Sequence, residues 1–229
     1  MKKNFYFLLV GASSFLFSCT TMLPLNNHYE KAGTLKKGNV ELSGHLTRYD
    51  VHHYGRKERT HDNFGFRAGI GLTERFDLKL RYEKMQFTKN FDHRITRADY
   101  FSLVPKLALV PERLSLLIPV STFRVQSVAD NFHYTNRVSS IAPQLIYTYT
   151  NSRKTFDISF ASKIDYLFEL DDDSESNTFF GMTLGAGFST DLSKWAIRPE
   201  IGLASELDDA KFISYGIGFQ WILPTRKKK

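Results

Sequence analysis

The sequence predicts an all-β chain, a closed antiparallel up-and-down transmembrane β-barrel of about ten strands. Three observations carry that prediction. Apolar and polar residues alternate with a period of two along most of the chain. The alternating segments are 10 to 14 residues long, whereas strands of soluble proteins usually have about 5–6 residues and tilted membrane strands roughly 9–11. The connections between segments alternate short and long, as tight turns at one end of a meander and larger loops at the other would.

The chain begins with Lys2-Lys3, an apolar stretch from Phe5 to Phe17, and small or polar residues after it. This reads as a secretory signal peptide over 1–18, too short for a comfortable transmembrane helix. The single cysteine, Cys19, follows Leu16-Phe17-Ser18, which resembles the lipobox of bacterial lipoproteins. That resemblance implies acylation (palmitate among the chains) of a mature chain starting at Cys19, and two or three acyl chains anchor far better than one. Residues 19–38 read as a lipidated polar tether without helical or strand period.

The barrel is expected over 39–222, with alternating segments at 39–49, 63–72, 76–86, 99–110, 114–125, 138–150, 155–168, 178–190, 195–204 and 211–222. In the clearest of them Phe76, Leu78, Leu80 and Tyr82 share one face, and Asp77, Lys79, Arg81 and Glu83 the other. Short turns fall at 73–75, 111–113, 151–154 and 191–194; long loops are expected at 50–62, 87–98, 126–137, 169–177 and 205–210. On the apolar face, Phe76, Tyr149, Phe156, Phe188, Trp195 and Trp221 fall near the short turns, and Tyr82, Tyr166, Phe168 and Phe180 near the loops. The positions between them are mostly aliphatic, so two aromatic girdles flank an apolar band. Pro105, Pro119, Pro143 and Pro199 fall inside strand patterns, where bulges would accommodate the missing donors. Residues 223–229 form a basic tail.

If the apolar face meets lipid, the polar face lines the lumen. The lining is expected to include Arg67, Asp77, Lys79, Arg81, Glu83, Lys106, Asp157, Lys163, Asp165, Arg198 and Glu200. Acids and bases nearly balance there, which points to ion pairs across the barrel rather than a channel of one sign. Barrels of about eight strands are filled by side chains, and ten adds little width. Gly69, Gly71, Gly185, Gly187, Gly216 and Gly218 fall on the same face and make room for long charged neighbours.

The formal charge of +7 does not mark a nucleic-acid face. Lys2, Lys3, Arg226, Lys227, Lys228 and Lys229 account for six, leaving 7 − 6 = +1 for the rest. One cysteine excludes a disulfide framework. His52, His53, His61, His93 and His133 fall in the expected loops without a distinctive ligand spacing, and the acidic run at 169–175 lacks the glycine of an EF-hand. No cofactor, metal or catalytic residue is assigned. A rim protease would need a couple such as His61-Asp62 or Asp92-His93, and no nucleophile elbow or phosphate-cradling loop is present. Lys84, Lys89, Arg94 and Arg97 surround the second long loop, where lipopolysaccharide phosphates would contact them.

The strand-turn-strand unit Phe64 to Glu83 and the Leu16–Cys19 motif together resemble the porin-like outer-membrane β-barrel lipoproteins of Gram-negative bacteria. The resemblance implies outer-membrane residence, periplasmic short turns and termini, external loops, and dealings with outer-membrane lipids and with the barrel-assembly and lipoprotein-sorting machineries. It carries no catalytic residue. The expected role is structural or in surface interaction, with a mostly side-chain-filled lumen; a narrow porin for small solutes is the runner-up, and a rim enzyme acting on lipopolysaccharide or peptides the third reading.

Overall fold

A computed structural model of the chain describes residues 25, 27–53, 56–88, 95–129, 132–169, 176–206 and 211–225. Cys19, Lys89, Arg94, Asp92 and His93 lie outside the described residues. The alternating segments form β1 (Val40–His53), β2 (Arg56–Gly71), β3 (Phe76–Phe87), β4 (Ile95–Val110), β5 (Leu114–Leu117), β6 (Val120–Ala129), β7 (Phe132–Ile141), β8 (Gln144–Thr150), β9 (Phe156–Glu169), β10 (Ser176–Phe188), β11 (Trp195–Glu206) and β12 (Lys211–Leu223). β4 pairs with both β5 and β6, and β9 with both β7 and β8. Each of those couples is therefore one interrupted crossing, and ten strands cross. All pairings are antiparallel, and β1 pairs with β12 from Val40 against Leu223 to His52 against Lys211, which closes the barrel.

The prolines behave differently from expectation. Pro105 and Pro199 lie within continuous β4 and β11, while Pro119 and Pro143 mark the breaks between β5 and β6 and between β7 and β8. Three of these prolines still serve the ladder as acceptors: the carbonyls of Pro105, Pro119 and Pro143 receive the N–H groups of Ile118, Ala142 and Ile164 at 3.1, 3.0 and 3.1 Å. The register shifts fall elsewhere, at Tyr49/Asp50, Ile95/Arg97 and Ala108/Val110.

Along the crossing strands the exposed face is apolar and the buried face polar. Leu80 is 63% exposed and its neighbours Lys79 and Arg81 are 2% and 9% exposed. Leu46, Phe64, Met182, Leu184, Ile201 and Ile217 also project outward, while Glu41, Asp77, Glu83 and Asp157 are buried. A water-soluble barrel has the opposite arrangement. Closure leaves no unpaired edge, as a structure in hydrocarbon requires, so the apolar belt fits a bilayer.

The strands run further than the sequence pattern indicates. β1 reaches His53 and β2 starts at Arg56, so most of the loop expected at 50–62 is strand. β4 and β7 likewise begin at Ile95 and Phe132, inside expected loops. At this end of the strands the pattern reverses: Tyr49, Met85, Tyr100, Phe123, Phe179 and Phe212 form an apolar cluster inside, while Arg48, Asp62, Gln86, Arg97, Arg124 and Arg137 face outward.

Candidate functional site

The lumen is filled by backbone as well as by side chains. The segment expected as a tether is described from Leu25 onward, and there it descends inside the barrel. Leu25 packs in the apolar cluster at the end away from the tight turns. Thr34 hydrogen-bonds the carbonyl of Glu74 in a tight turn at 2.9 Å, and Gly38 takes a left-handed φ of 82° where the chain turns into β1.

Such a segment brings unpaired backbone groups into the buried interior, and the barrel wall supplies their partners. Glu200 accepts the N–H groups of His28 and Tyr29 at 2.6 and 2.7 Å. Thr148 accepts from Ala32 at 2.7 Å, and both oxygens of Asp77 accept from Leu35 at 3.0 Å. Lys106 donates to the carbonyls of Lys31 and Gly33 at 2.7 and 2.8 Å, Arg67 donates to that of His28 at 2.7 Å, and Lys163 donates to that of Leu25.

Glu30 is the electrostatic centre of the segment. Its carboxylate lies 3.0 Å from Arg67, 3.0 Å from Lys79 and 3.1 Å from Lys106, all nearly free of solvent. Glu41 on β1 shares two of these cations, at 3.0 Å from Arg67 and 3.1 Å from Lys79, and accepts a bond from Gln220 at 2.6 Å. Arg198 grips Asp157 through two parallel bonds of 2.9 and 2.8 Å and donates to Gln220 at 2.8 Å. Glu83 meets Arg81 and His45, each at 2.6 Å, and Lys163 meets Asp165 at 2.9 Å. The eleven residues expected to line the lumen are all buried on the inner face. Sequence reasoning missed Glu30, because a lone acid between Tyr29 and Lys31 carries no strand pattern to assign it to a face.

Tyr29 sits across the closing seam. Its ring stacks on His45 of β1 with centroids 4.7 Å apart, and its hydroxyl bonds Thr47 of β1 at 2.7 Å. A Cβ at Gly218 of β12 would stand 2.9 Å from the same ring, so glycine is required for this approach. Gly69 and Gly187 clear space for Lys79 and for the Asp157–Arg198 pair, whereas Gly216 and Gly218 make room for Tyr29.

Beside the segment lies a cavity of about 20 Å³ lined by residues including Arg67, Arg81, Gln144, Lys163 and Asp165. The Gln144 Oε1 and Asp165 Oδ1 atoms have no protein partner. Polar lining and that volume suit about one water molecule.

The other sequence candidates do not converge. His61, expected in a loop, lies on β2 and stacks inside the barrel on Tyr49 at 4.4 Å, because the strand extends past the loop boundary. Asp62 faces outward to Arg48 and Arg59, so the two point to opposite sides and form no couple. Among the described residues no three His, Cys, Asp or Glu side chains are grouped to hold a metal. Lys84 and Arg97 project from the outer wall, Arg97 at 3.3 Å from Asp99.

No protein-family model and no curated protein matches the chain. In fold it is similar to solved structures at low identity. The outer membrane protease OmpT from Escherichia coli is 12% identical with a TM-score of 0.49, over 81% of this chain and 96% of that one. The translocator domain of the autotransporter NalP from Neisseria meningitidis is 7% identical with a TM-score of 0.48, over 95% and 94%. The attachment invasion locus protein Ail of Yersinia pestis is 12% identical with a TM-score of 0.35, over 82% and 99%.

Proposed function

We propose that the chain is an outer-membrane barrel sealed by its own N-terminal segment, serving as a structural or surface-interaction protein rather than a passage for solutes. The observation that carries this reading is the lumen: a segment fixed along its length by Glu200, Thr148, Asp77, Lys106 and Arg67 lies beside a cavity of about 20 Å³. The segment held by these bonds stands in the way of a solute crossing the lumen. In planar bilayers the intact protein gives no discrete conductance steps, whereas deletion of 25–36, with a short linker restoring the entry to β1, gives steps. Steps from the intact protein overturn the sealed reading in favour of the narrow porin.

The tight turns face the periplasm, as short turns do in such barrels, and Thr225, bonded to Gly38 and Asn39, lies with them. Leu25 lies in the opposite half. The lipoprotein reading places an acyl anchor on Cys19. Cys19→Ser abolishes labelling by a fatty-acid probe and spares the barrel; unchanged labelling removes the lipoprotein part of the reading.

A further inference from the structure

The outer wall formed by β3, β4, β6 and β7 carries a row of charge that the sealed lumen does not explain. In register Lys84 stands beside Asp99, Asp99 beside Arg124, and Arg124 beside Arg137. Arg97 lies one outward position further from the tight turns. Arg124 and Arg137 are exposed, and Lys84, Arg97 and Asp99 half-buried. Asp99 is already engaged: it accepts from the Tyr82 hydroxyl at 2.8 Å and lies 3.3 Å from Arg97. Among the described residues no carboxylate is within ion-pair distance of Lys84, Arg124 or Arg137. Residues directly opposite on antiparallel strands hold their Cβ atoms about 4.5–5.5 Å apart, where like charges repel. An anion seated between Arg124 and Arg137 removes that repulsion.

Immediately toward the tight turns the same wall becomes apolar. Tyr82, Phe101, Thr122 and Ser139 form the next outward row, and Leu80, Leu103, Val120 and Ile141 the one after. The short side chains of Thr122 and Ser139 leave a groove of about 640 Å³, lined chiefly by Phe66, Leu80, Phe101, Leu103 and Val120. A groove of this size is within the range of small-molecule sites. Cations therefore stand where headgroups begin, directly above a hollow of acyl-chain character.

We infer that this wall is a binding site for one phosphorylated, multiply acylated glycolipid of the outer leaflet, with phosphates on Arg124, Arg137 and Lys84 and an acyl chain in the groove. Four cations against one engaged carboxylate match two phosphates better than the single phosphate of a phospholipid, and planar guanidinium groups suit phosphate oxygens. Arg97 is held by Asp99 at the edge of the row.

The inference rests on the outer-membrane reading, and the two fail separately: a protein recovered in the soluble fraction removes that reading, whereas loss of lipid selectivity in a membrane-extracted barrel removes only the site. The test is native mass spectrometry of the full chain in detergent, titrated with diphosphoryl lipid A, with its dephosphorylated form, and with phosphatidylglycerol. Diphosphoryl lipid A binds the wild type at least tenfold more tightly than either comparator. The double variant Arg124→Gln/Arg137→Gln loses that tenfold preference while keeping its heat-modifiable gel band. Thr122→Trp, which fills the groove and removes no charge, also weakens lipid A several-fold, and reads the site independently if the charge variant fails to fold. Equal binding by the Arg124→Gln/Arg137→Gln variant, or by the dephosphorylated lipid, overturns the phosphate assignment. Equal binding of phosphatidylglycerol overturns the glycolipid, and unchanged lipid A binding by Thr122→Trp overturns the groove.

Discussion

Within single strands the barrel wall changes its rule. Over the apolar belt, Leu80 on β3 faces out and Arg81 faces in. Further along, Met85 faces in and Gln86 faces out. β1 repeats the reversal, with Leu46 outside and His45 inside in one region and Tyr49 inside and Arg48 outside in the other. From Leu80 to Gln86 and from His45 to Tyr49 the backbone keeps its period of two; the solvent on the outside differs. Where lipid surrounds the wall, polar groups must turn in and find partners there. Where water surrounds it, burying Tyr100, Phe123 and Phe179 is the favourable choice. The direction in which an alternating strand faces thus reports its surroundings, position by position.

The largest expected effect breaks the polar interior at its centre. Glu30→Ala leaves Arg67, Lys79 and Lys106 around a missing carboxylate, and loss of one partner in a buried ion network costs about 3–5 kcal/mol. Urea unfolding from lipid vesicles, followed by tryptophan fluorescence, reads this as a lowered midpoint.

Next comes the belt itself. Leu80→Arg costs about 2–4 kcal/mol at mid-membrane, whereas Gln86→Arg, six residues along on the same outer face, leaves stability unchanged. Equal penalties in the same assay would erase the distinction between the two regions. A cysteine at position 80 is quenched by bromolipid, and one at position 81 or 86 is not.

A smaller effect tests the apolar rim interior. Val138→Thr conserves shape but buries a hydroxyl among Tyr100, Phe123 and Leu167, at about 1–3 kcal/mol if it finds no partner. Smallest of all is the exposed outer face: Asp62→Asn breaks the solvent-screened contact of 3.3 Å with Arg48 and leaves the unfolding midpoint within error, since such pairs contribute little.

This reversal also explains what could be read from the residues alone. The belt portions of the strands were legible because Phe76 to Glu83 alternates in one phase and the turns beside it are short. The rim portions were less so: apolar residues change phase at Tyr49, Met85 and Tyr100, register shifts at Tyr49/Asp50 and Ile95/Arg97 break the alternation, and the extensions read as loops. His61 was misplaced for that reason. The inward position of Lys79, Arg81 and Asp157 followed from alternation. The carboxylate shared by Arg67, Lys79 and Lys106 did not, because Glu30 lies outside any strand and reaches Lys106 across 76 residues of sequence. Gly216 and Gly218 were readable as inward glycines, but the ring they admit was not.

Tyr29 also has a consequence for how the barrel comes together in time. The strands that meet last are β1 and β12, whose pairing joins Val40 to Leu223, the longest sequence separation in the sheet. Contacts between such distant positions form slowly, because loop closure must precede their reward. Tyr29 already lies against His45 and Thr47 of β1, only 16 and 18 residues away, and those local contacts can form while the sheet is still open. The ring then presents a flat apolar surface at the place where the glycines of β12 must land. Closure of the last seam is thus templated from inside by a side chain that arrives early, and a chain in which Gly218→Val displaces that ring should accumulate as an open, protease-sensitive sheet before it forms a barrel.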